Sequence, residues 1–489
     1  MNWNQHAGVA PRKAVVCLIL RNTPELEVLL VRRNTSLAFM GGHHAFPGGA
    51  LEKEDSDELV DGVNDPECAR TVFAVVREVF EETGLLLGIG QCPTPERLRE
   101  ARQDLLAERS GFGQLLGELG LRIDGASFTP AGVWVTPPFA PKRFDTQYFI
   151  YQHEGEELGE ILREDDEIVA LDWMPPGEAR RRWHRMELRL STPVAFALRN
   201  LDVVPMPAVV PLLRDTPGNE GTIIGRYEPQ CGVNIIPIPT PTLPPATHTN
   251  CVVVGEEELY VVDPSPADAE QQAHLKKHLD QLLAQGGTIA AVLLTHSHED
   301  HMGAAEFLRD TYGAPIWAHA AADVPFTIDR ELADGDVLTA KGNPEWRLRC
   351  LHTPGHAPDH LCYLEESTRT LLCGDMMANP GTILVSPEFG GDMTQYIESL
   401  EGLLDEDFVF TVPAHGLPTW GRTGKELVRE LIAHRHEREA KIQAALDAGA
   451  NSIKAVLEEA YDDTPREAWP LAEHQLKAHL IRMGLSLPA

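Results

Sequence analysis

The sequence predicts a mixed α/β protein with two packed domains and a helical C-terminal extension. Three observations point there. The 489 residues exceed what one hydrophobic core usually holds together. Short runs rich in β-formers alternate with stretches of helical period. Between residues 204 and 245 proline is dense, including Pro237, Pro239, Pro241, Pro244 and Pro245, which breaks helices and central strands and marks a boundary. The expected division is a first domain over 8–203, a proline-rich linker over 204–231, a second domain over 232–425, and a helical extension over 426–489.

In the first domain, strands are expected at 14–20, 26–31, 132–135 and 146–151. A helix is expected at 66–83, opened by Asp65 as N-cap and stopped by Gly84, and another at 94–109. In the second domain, strands are expected at 252–254 and 259–262, a helix at 266–285, and a buried strand at 289–294. After Thr423 the pattern is almost wholly helical. No repeat of 20–50 residues is present.

The formal net charge is −32. So negative a chain repels polyanions, which disfavours RNA or DNA as substrate and favours small molecules. The longest apolar runs, such as 14–20 and 289–294, are too short to cross a bilayer, and residues 1–12 lack the apolar core of a secretory signal. No membrane association and a cytoplasmic location are expected. Cysteines at 17, 68, 92, 231, 251, 350, 362 and 373 form no C-x-x-C pair, so they read as buried thiols rather than zinc ligands or disulfides. Arg180, Arg181, Arg182 and Arg185 read as a solvated helix face.

Two clusters carry chemistry. The first is Arg77-Glu78-Val79-Phe80-Glu81-Glu82-Thr83-Gly84-Leu85. On a helix Glu78, Glu81 and Glu82 share one face, and their mutual repulsion is relieved by a hard cation such as Mg²⁺ or Mn²⁺. Upstream, Phe46-Pro47-Gly48-Gly49 offers a turn whose bare backbone can approach that face. This string resembles the Nudix box over its whole second half, and the resemblance extends over roughly residues 12–200. It implies an α/β/α sandwich that hydrolyses diphosphate linkages. Glu78, Glu81 and Glu82 would bind Mg²⁺ or Mn²⁺, with Glu78 also a base, and Arg77 would orient a glutamate. Gly49 precedes Arg77 by 28 positions where the family has 14, so about fourteen residues within 53–66 read as an inserted, acidic surface loop. That insertion resembles the subgroup containing coenzyme A diphosphatases. The box's middle glutamate has no counterpart.

The second cluster is Thr295-His296-Ser297-His298-Glu299-Asp300-His301 at the end of an expected strand, followed by His356, Asp375 and His415. Imidazole with carboxylate suits Zn²⁺ or another first-row cation. The series resembles the metallo-β-lactamase superfamily over about 232–425, implying an αββα sandwich. By that resemblance His296, His298 and His356 would hold one metal, and Asp300, His301 and His415 the other. Asp375 would bridge them, with two Zn²⁺ (or Fe or Mn) expected. Asp263 would support the His296 loop, and Asp359 and His360 would support ligands. The tail, with His434-Arg435-His436-Glu437-Arg438 and 474–483, resembles the extension of a branch containing an endoribonuclease. Glyoxalase II-like thioesterases share the ligand set. His434–Arg438 reads equally as a salt-bridged helix face.

The expected function is therefore a bifunctional metal-dependent hydrolase. It would cut a diphosphate linkage of a nucleoside diphosphate or coenzyme A type at one site, and an ester, thioester or phosphodiester at the other. The alternative is a ribonuclease-type second domain regulated by a ligand-sensing Nudix domain. By analogy with Nudix proteins the chain would be a possible homodimer.

Overall fold

The computed structural model describes residues 8–485 except 38–39, 91–92, 139, 141, 156–166, 218–224, 245 and 420–422. Cys92 and Pro245 thus lie outside the described residues. The chain divides into two compact units, one ending at Cys231 and the other beginning at Gly232.

In the first unit, strand Arg12–Asn22 organises the rest. Its period-2 alternation sends Val15, Cys17 and Ile19 to one face, where they pack with Val72, Phe73, Val76 and Phe80 of helix Pro66–Thr83. Leu18 and Leu20 face the opposite way, toward Trp134 and toward Val194 and Leu198 of helix Thr192–Val203. Helices thus cover both faces of one sheet. The strand order is His44–Ala45, Leu26–Arg33, Arg12–Asn22, Phe144–Gln152, Thr129–Val135, with Gly48–Ala50 beside Arg12–Asn22 and Ile168–Met174 beside Leu26–Arg33. Helix Pro66–Thr83 has the ends expected of it: the Asp65 side chain accepts from Glu67 N–H, and Gly84 closes it at φ 76°.

Three expectations change. The stretch read as linker contains helix Val209–Arg214, whose Val209 and Leu213 are buried in the first unit's core. Strand Val233–Pro239 then forms despite two prolines, pairing Pro237 opposite Asn250. The inserted loop is not merely surface: Val60–Asp61 pairs with Ile123–Asp124, and Asp55 is buried. Arg180 is buried as well, 3.6 Å from Glu228, whereas Arg181 pairs with half-buried Glu178 and Arg185 with exposed Glu187.

In the second unit one sheet runs Val233–Pro239, His248–Gly255, Glu258–Val262, Thr288–Leu293, Ile316–His319, Arg330–Leu332. The other runs Val337–Ala340, Trp346–His352, Leu361–Glu365, Thr370–Asn379, Phe410–Gly416. Tyr260 and Tyr363 tie them, donating to the Thr339 and Leu294 carbonyls. Helices Ala269–Ala284 and Ala305–Tyr312 cover the first sheet and Met393–Leu403 the second, an αββα sandwich. Helix Ala269–Ala284 begins three residues later than expected because Asp268 caps Gln271 N–H. Beyond a Thr423–Glu426 capping box, Gly424–Asp447, Ile453–Ala460 and Trp469–Arg482 pack together.

Candidate functional site: a histidine–aspartate cluster and a carboxylate-lined helix

Strands Glu258–Val262 and Thr288–Leu293 run parallel, so their C-terminal ends emerge side by side. Asp263 leaves the first at φ 50°. Its carboxylate accepts from Thr295 N–H and Oγ1–H at 2.8 Å each and from His301 Nδ1 at 3.0 Å. One buried carboxylate therefore fixes both ends of the His296–His301 loop, the supporting part expected of it.

Around that loop the structure brings together all seven cluster residues. His298 Nδ1 lies 2.9 Å from His296 Nε2 and 3.0 Å from His356 Nε2. Asp375 lies 3.3 Å from His415, 3.5 Å from His356 and 3.7 Å from His301. Asp300 lies 3.5 Å from His415 and 3.8 Å from His301. Three overlapping trios have ligand atoms mutually within 4.8 Å: His296, His298, His356; His296, His301, Asp375; and Asp300, His301, His415.

Their outer neighbours are ordered too. His356 Nδ1 meets the Leu384 carbonyl at 2.8 Å, and His415 Nδ1 the His248 carbonyl at 3.1 Å. His360 lies between Thr353 Oγ1 and the Asp375 N–H, and Asp359 bonds Ser297. His360 thus supports Asp375, and Asp359 supports the loop at Ser297.

Burial pushes His296 well below the usual imidazole range, helped by neighbouring imidazoles, and His298 down to about 4. Burial pulls His301 the same way, but Asp263 and Asp375 outweigh it and hold it near 10. Burial would raise Asp375, yet His415 and His301 keep it well below the carboxylate range. Burial keeps His296, His298 and His356 neutral and Asp375 is ionised, and the cluster's imidazole nitrogens and carboxylate oxygens are the donor types a divalent first-row cation takes, so the residues fit such a group.

In the first unit, Arg77 is the hub. It bonds Asp55 through Nε (2.8 Å) and Nη2 (3.1 Å), Glu78 through Nη1 (2.9 Å), and the Ala50 carbonyl (3.1 Å). Its main partner, Asp55, was not singled out from sequence, because nothing local distinguishes it within an acidic loop. Gly48 N–H donates to Glu82 at 3.0 Å, and a Cβ on Gly49 would collide with the Glu78 carboxylate. These two glycines therefore seat the glutamates. Arg102 closes the helix end by donating to the Glu81 and Glu82 carbonyls. Burial raises Glu78 to about 7, Glu81 upward and Glu82 strongly upward, with neighbouring carboxylates adding to each. The three glutamates do not form a trio with ligand atoms all within 4.8 Å. Crowded, costly carboxylates on one face fit a hard cation.

The family described as metallo-beta-lactamase superfamily matches residues 244–415. The chain is 29% identical over 252 residues to the Beta-lactamase-like protein 2 homolog of Drosophila melanogaster, a match covering 48% of this chain and 82% of that protein. It is 30% identical over 205 residues to the Atrochrysone carboxyl ACP thioesterase of Claviceps purpurea (strain 20.1), covering 41% of this chain and 60% of that one. A solved NUDIX hydrolase from Alicyclobacillus acidocaldarius is 26% identical, with 41% of this chain and 95% of that one covered and a TM-score of 0.38. Within the described residues no helix is long and apolar enough to cross a membrane. The region of residues 244–415, with its convergent histidines and aspartates, is a metallo-β-lactamase superfamily domain, and the chain that carries it is a hydrolase.

Proposed function

We propose that the second unit hydrolyses an ester or thioester at a dinuclear metal centre, and that the first cleaves a diphosphate linkage. The convergence of His296, His298, Asp300, His301, His356, Asp375 and His415 into three overlapping trios carries the first part. Of the candidate bonds, a thioester is favoured by similarity to a protein named as a thioesterase. On this reading His296, His298 and His356 hold one cation, Asp300, His301 and His415 the other, and Asp375 serves both. Such a pair, Zn²⁺ or Fe or Mn, would supply Lewis-acid polarisation of the scissile group and acidify a water to near neutrality. Asp300, whose side chain is partly exposed, would take a proton from incoming water.

In the first unit Glu78, Glu81 and Glu82 would hold Mg²⁺ or Mn²⁺, which screens charge on a leaving phosphate. Arg77 keeps Glu78 aimed, and the Gly48 N–H keeps Glu82. The substrates would be small molecules of nucleoside diphosphate or coenzyme A type.

A hydrolysis screen with nucleotide diphosphates, coenzyme A esters and RNA, paired with metal analysis, tests the assignment. Glu81→Gln should lose diphosphate cleavage and keep ester cleavage, while His298→Ala should show the reverse. Variants indistinguishable from wild type, or a metal-loaded wild type inert toward every substrate, would defeat it.

The raised Glu78 adds a pH dependence. The group is largely protonated below about 7, so binding a cation there must displace a proton. Mg²⁺ affinity should fall about tenfold per unit as pH drops below 7. Calorimetric titration of Mg²⁺ into His298→Ala protein at pH 6 and pH 8 reads this directly. Equal affinities would show that Glu78 takes no part.

A further inference from the structure

Strand Val233–Pro239 pairs with His248–Gly255 as far as Pro239 opposite His248, and beside that last pair Thr240 Oγ1 meets Thr249 Oγ1 at 2.7 Å. The ladder ends there. Pro241 and Pro244 have no N–H with which to extend it. The chain turns instead, with Thr242 N–H donating to the Thr240 carbonyl at 2.8 Å and Ala246 N–H to the Leu243 carbonyl at 3.1 Å. The turned segment becomes a wall: Pro241, Thr242, Leu243 and Pro244 line a cavity of about 820 Å³ that Asp300, Asp375 and His415 also line.

This segment and the strand it enters reach both nitrogens of His415. Nδ1 donates to the His248 carbonyl at 3.1 Å, and Thr242 Oγ1 lies 3.4 Å from Nε2. The two contacts differ in kind. The first is of ordinary length and fixes the ring, whereas the second is long for a hydroxyl bond and adds little to orientation. Nε2 also has Asp375 at 3.3 Å and Asp300 at 3.5 Å. Of the three oxygens around it, two belong to carboxylates, which accept when ionised, and the third is a hydroxyl, which donates. Among the described residues no other side chain engages that hydroxyl. A cation that takes the Nε2 lone pair leaves the hydroxyl hydrogen to be given to an oxygen entering the cavity.

We propose that Thr242 is a catalytic residue whose hydroxyl donates a hydrogen bond to the carbonyl oxygen of the scissile ester or thioester. The inference rests on the hydrolase reading of the cluster and adds a donor where the neighbouring carboxylates only accept. When water adds to the carbonyl carbon, the C=O electron pair moves onto oxygen, and it returns as the alkoxide or thiolate leaves. Thr242 keeps its proton throughout and stabilises that passing charge.

The test reads turnover, metal and binding separately on zinc-loaded full-length protein. The substrates are S-hexanoyl N-acetylcysteamine and phenyl hexanoate. Thr242→Val, which replaces only the hydroxyl by a methyl, should lower kcat by about 100-fold with little change in KM. Thr242→Ser should recover most of the loss, and elemental analysis should find wild-type metal content in both variants. Two inert ligands are titrated calorimetrically: a trifluoromethyl ketone thioether of N-acetylcysteamine, which hydrates to a tetrahedral form, and the plain thioether without the ketone. Thr242→Val should weaken the ketone by about tenfold and leave the thioether unchanged. Unaltered kcat, a loss that follows lost metal, or equal weakening of both ligands would overturn the proposal. If wild type leaves both substrates intact yet holds the ketone through the Thr242 hydroxyl, the hydrolase reading fails and the contact stands. A wild type that neither turns over a substrate nor binds the ketone defeats both.

Discussion

Asp375→Asn should lower hydrolysis at the second unit's site by on the order of a thousandfold, the equivalent of several kcal/mol of lost metal-borne stabilisation. The substitution keeps the size of the side chain and removes its charge. Asp375 lies within 3.3–3.7 Å of the Nε2 atoms of His415, His356 and His301. It stays ionised against the pull of burial because those imidazoles surround it. An amide there turns an N–H₂ toward nitrogens that need an anion, and no other carboxylate reaches both sides of the cluster. Elemental analysis should show metal content falling below that of the wild type alongside the loss of kcat/KM. Asp359→Asn, at a side chain that bonds the loop residue Ser297, should cost much less, about 10- to 100-fold. An Asp375→Asn protein with full metal content and wild-type turnover would remove the bridging role altogether.

Arg77→Met should destabilise the first unit by about 3–5 kcal/mol. Arg77 and Asp55 are each 5% exposed and meet through two bonds. Removing the guanidinium leaves Asp55 buried without its counter-charge, and it frees Glu78 and Glu81 from the cation they meet at 2.9 and 3.5 Å. Because an uncompensated charge is the main cause, Asp55→Asn in the Arg77→Met background should recover part of the loss. Hydrogen exchange localised to helix Pro66–Thr83 is the measurement of choice, since it separates this unit from the other. Unaltered protection there would show that the hub does not hold the helix.

Much of this was legible because it is local. Alternation along Arg12–Asn22 shows in the sequence as a two-residue period, and Asp65 and Gly84 bracket their helix by composition alone. The seven cluster residues stand out because four of them fall within six positions. What stayed hidden depends on contacts distant in sequence. Asp55 is one acid among several until the fold sets it against Arg77, 22 residues away. Helix Val209–Arg214 escaped because proline density outweighed two apolar residues whose burial comes from strands far upstream. For His434–Arg438 the salt-bridged face that the sequence allowed holds for Arg438, which meets Asp463, whereas the burial of Arg435 against the Ile383 carbonyl is a backbone contact that no residue pattern announces.

The bonds around the cluster also decide which nitrogen of each ring is available. His301, His356 and His415 each spend Nδ1 outward, on Asp263, the Leu384 carbonyl and the His248 carbonyl. Their second nitrogen, Nε2, is thereby the one turned inward, while His298 presents Nδ1. The tautomers are selected by the scaffold in advance, so a cation would meet lone pairs already sorted, with no ring to flip. For His301 that choice carries a toll: held near 10 by Asp263 and Asp375, it must surrender a proton before it can become a ligand.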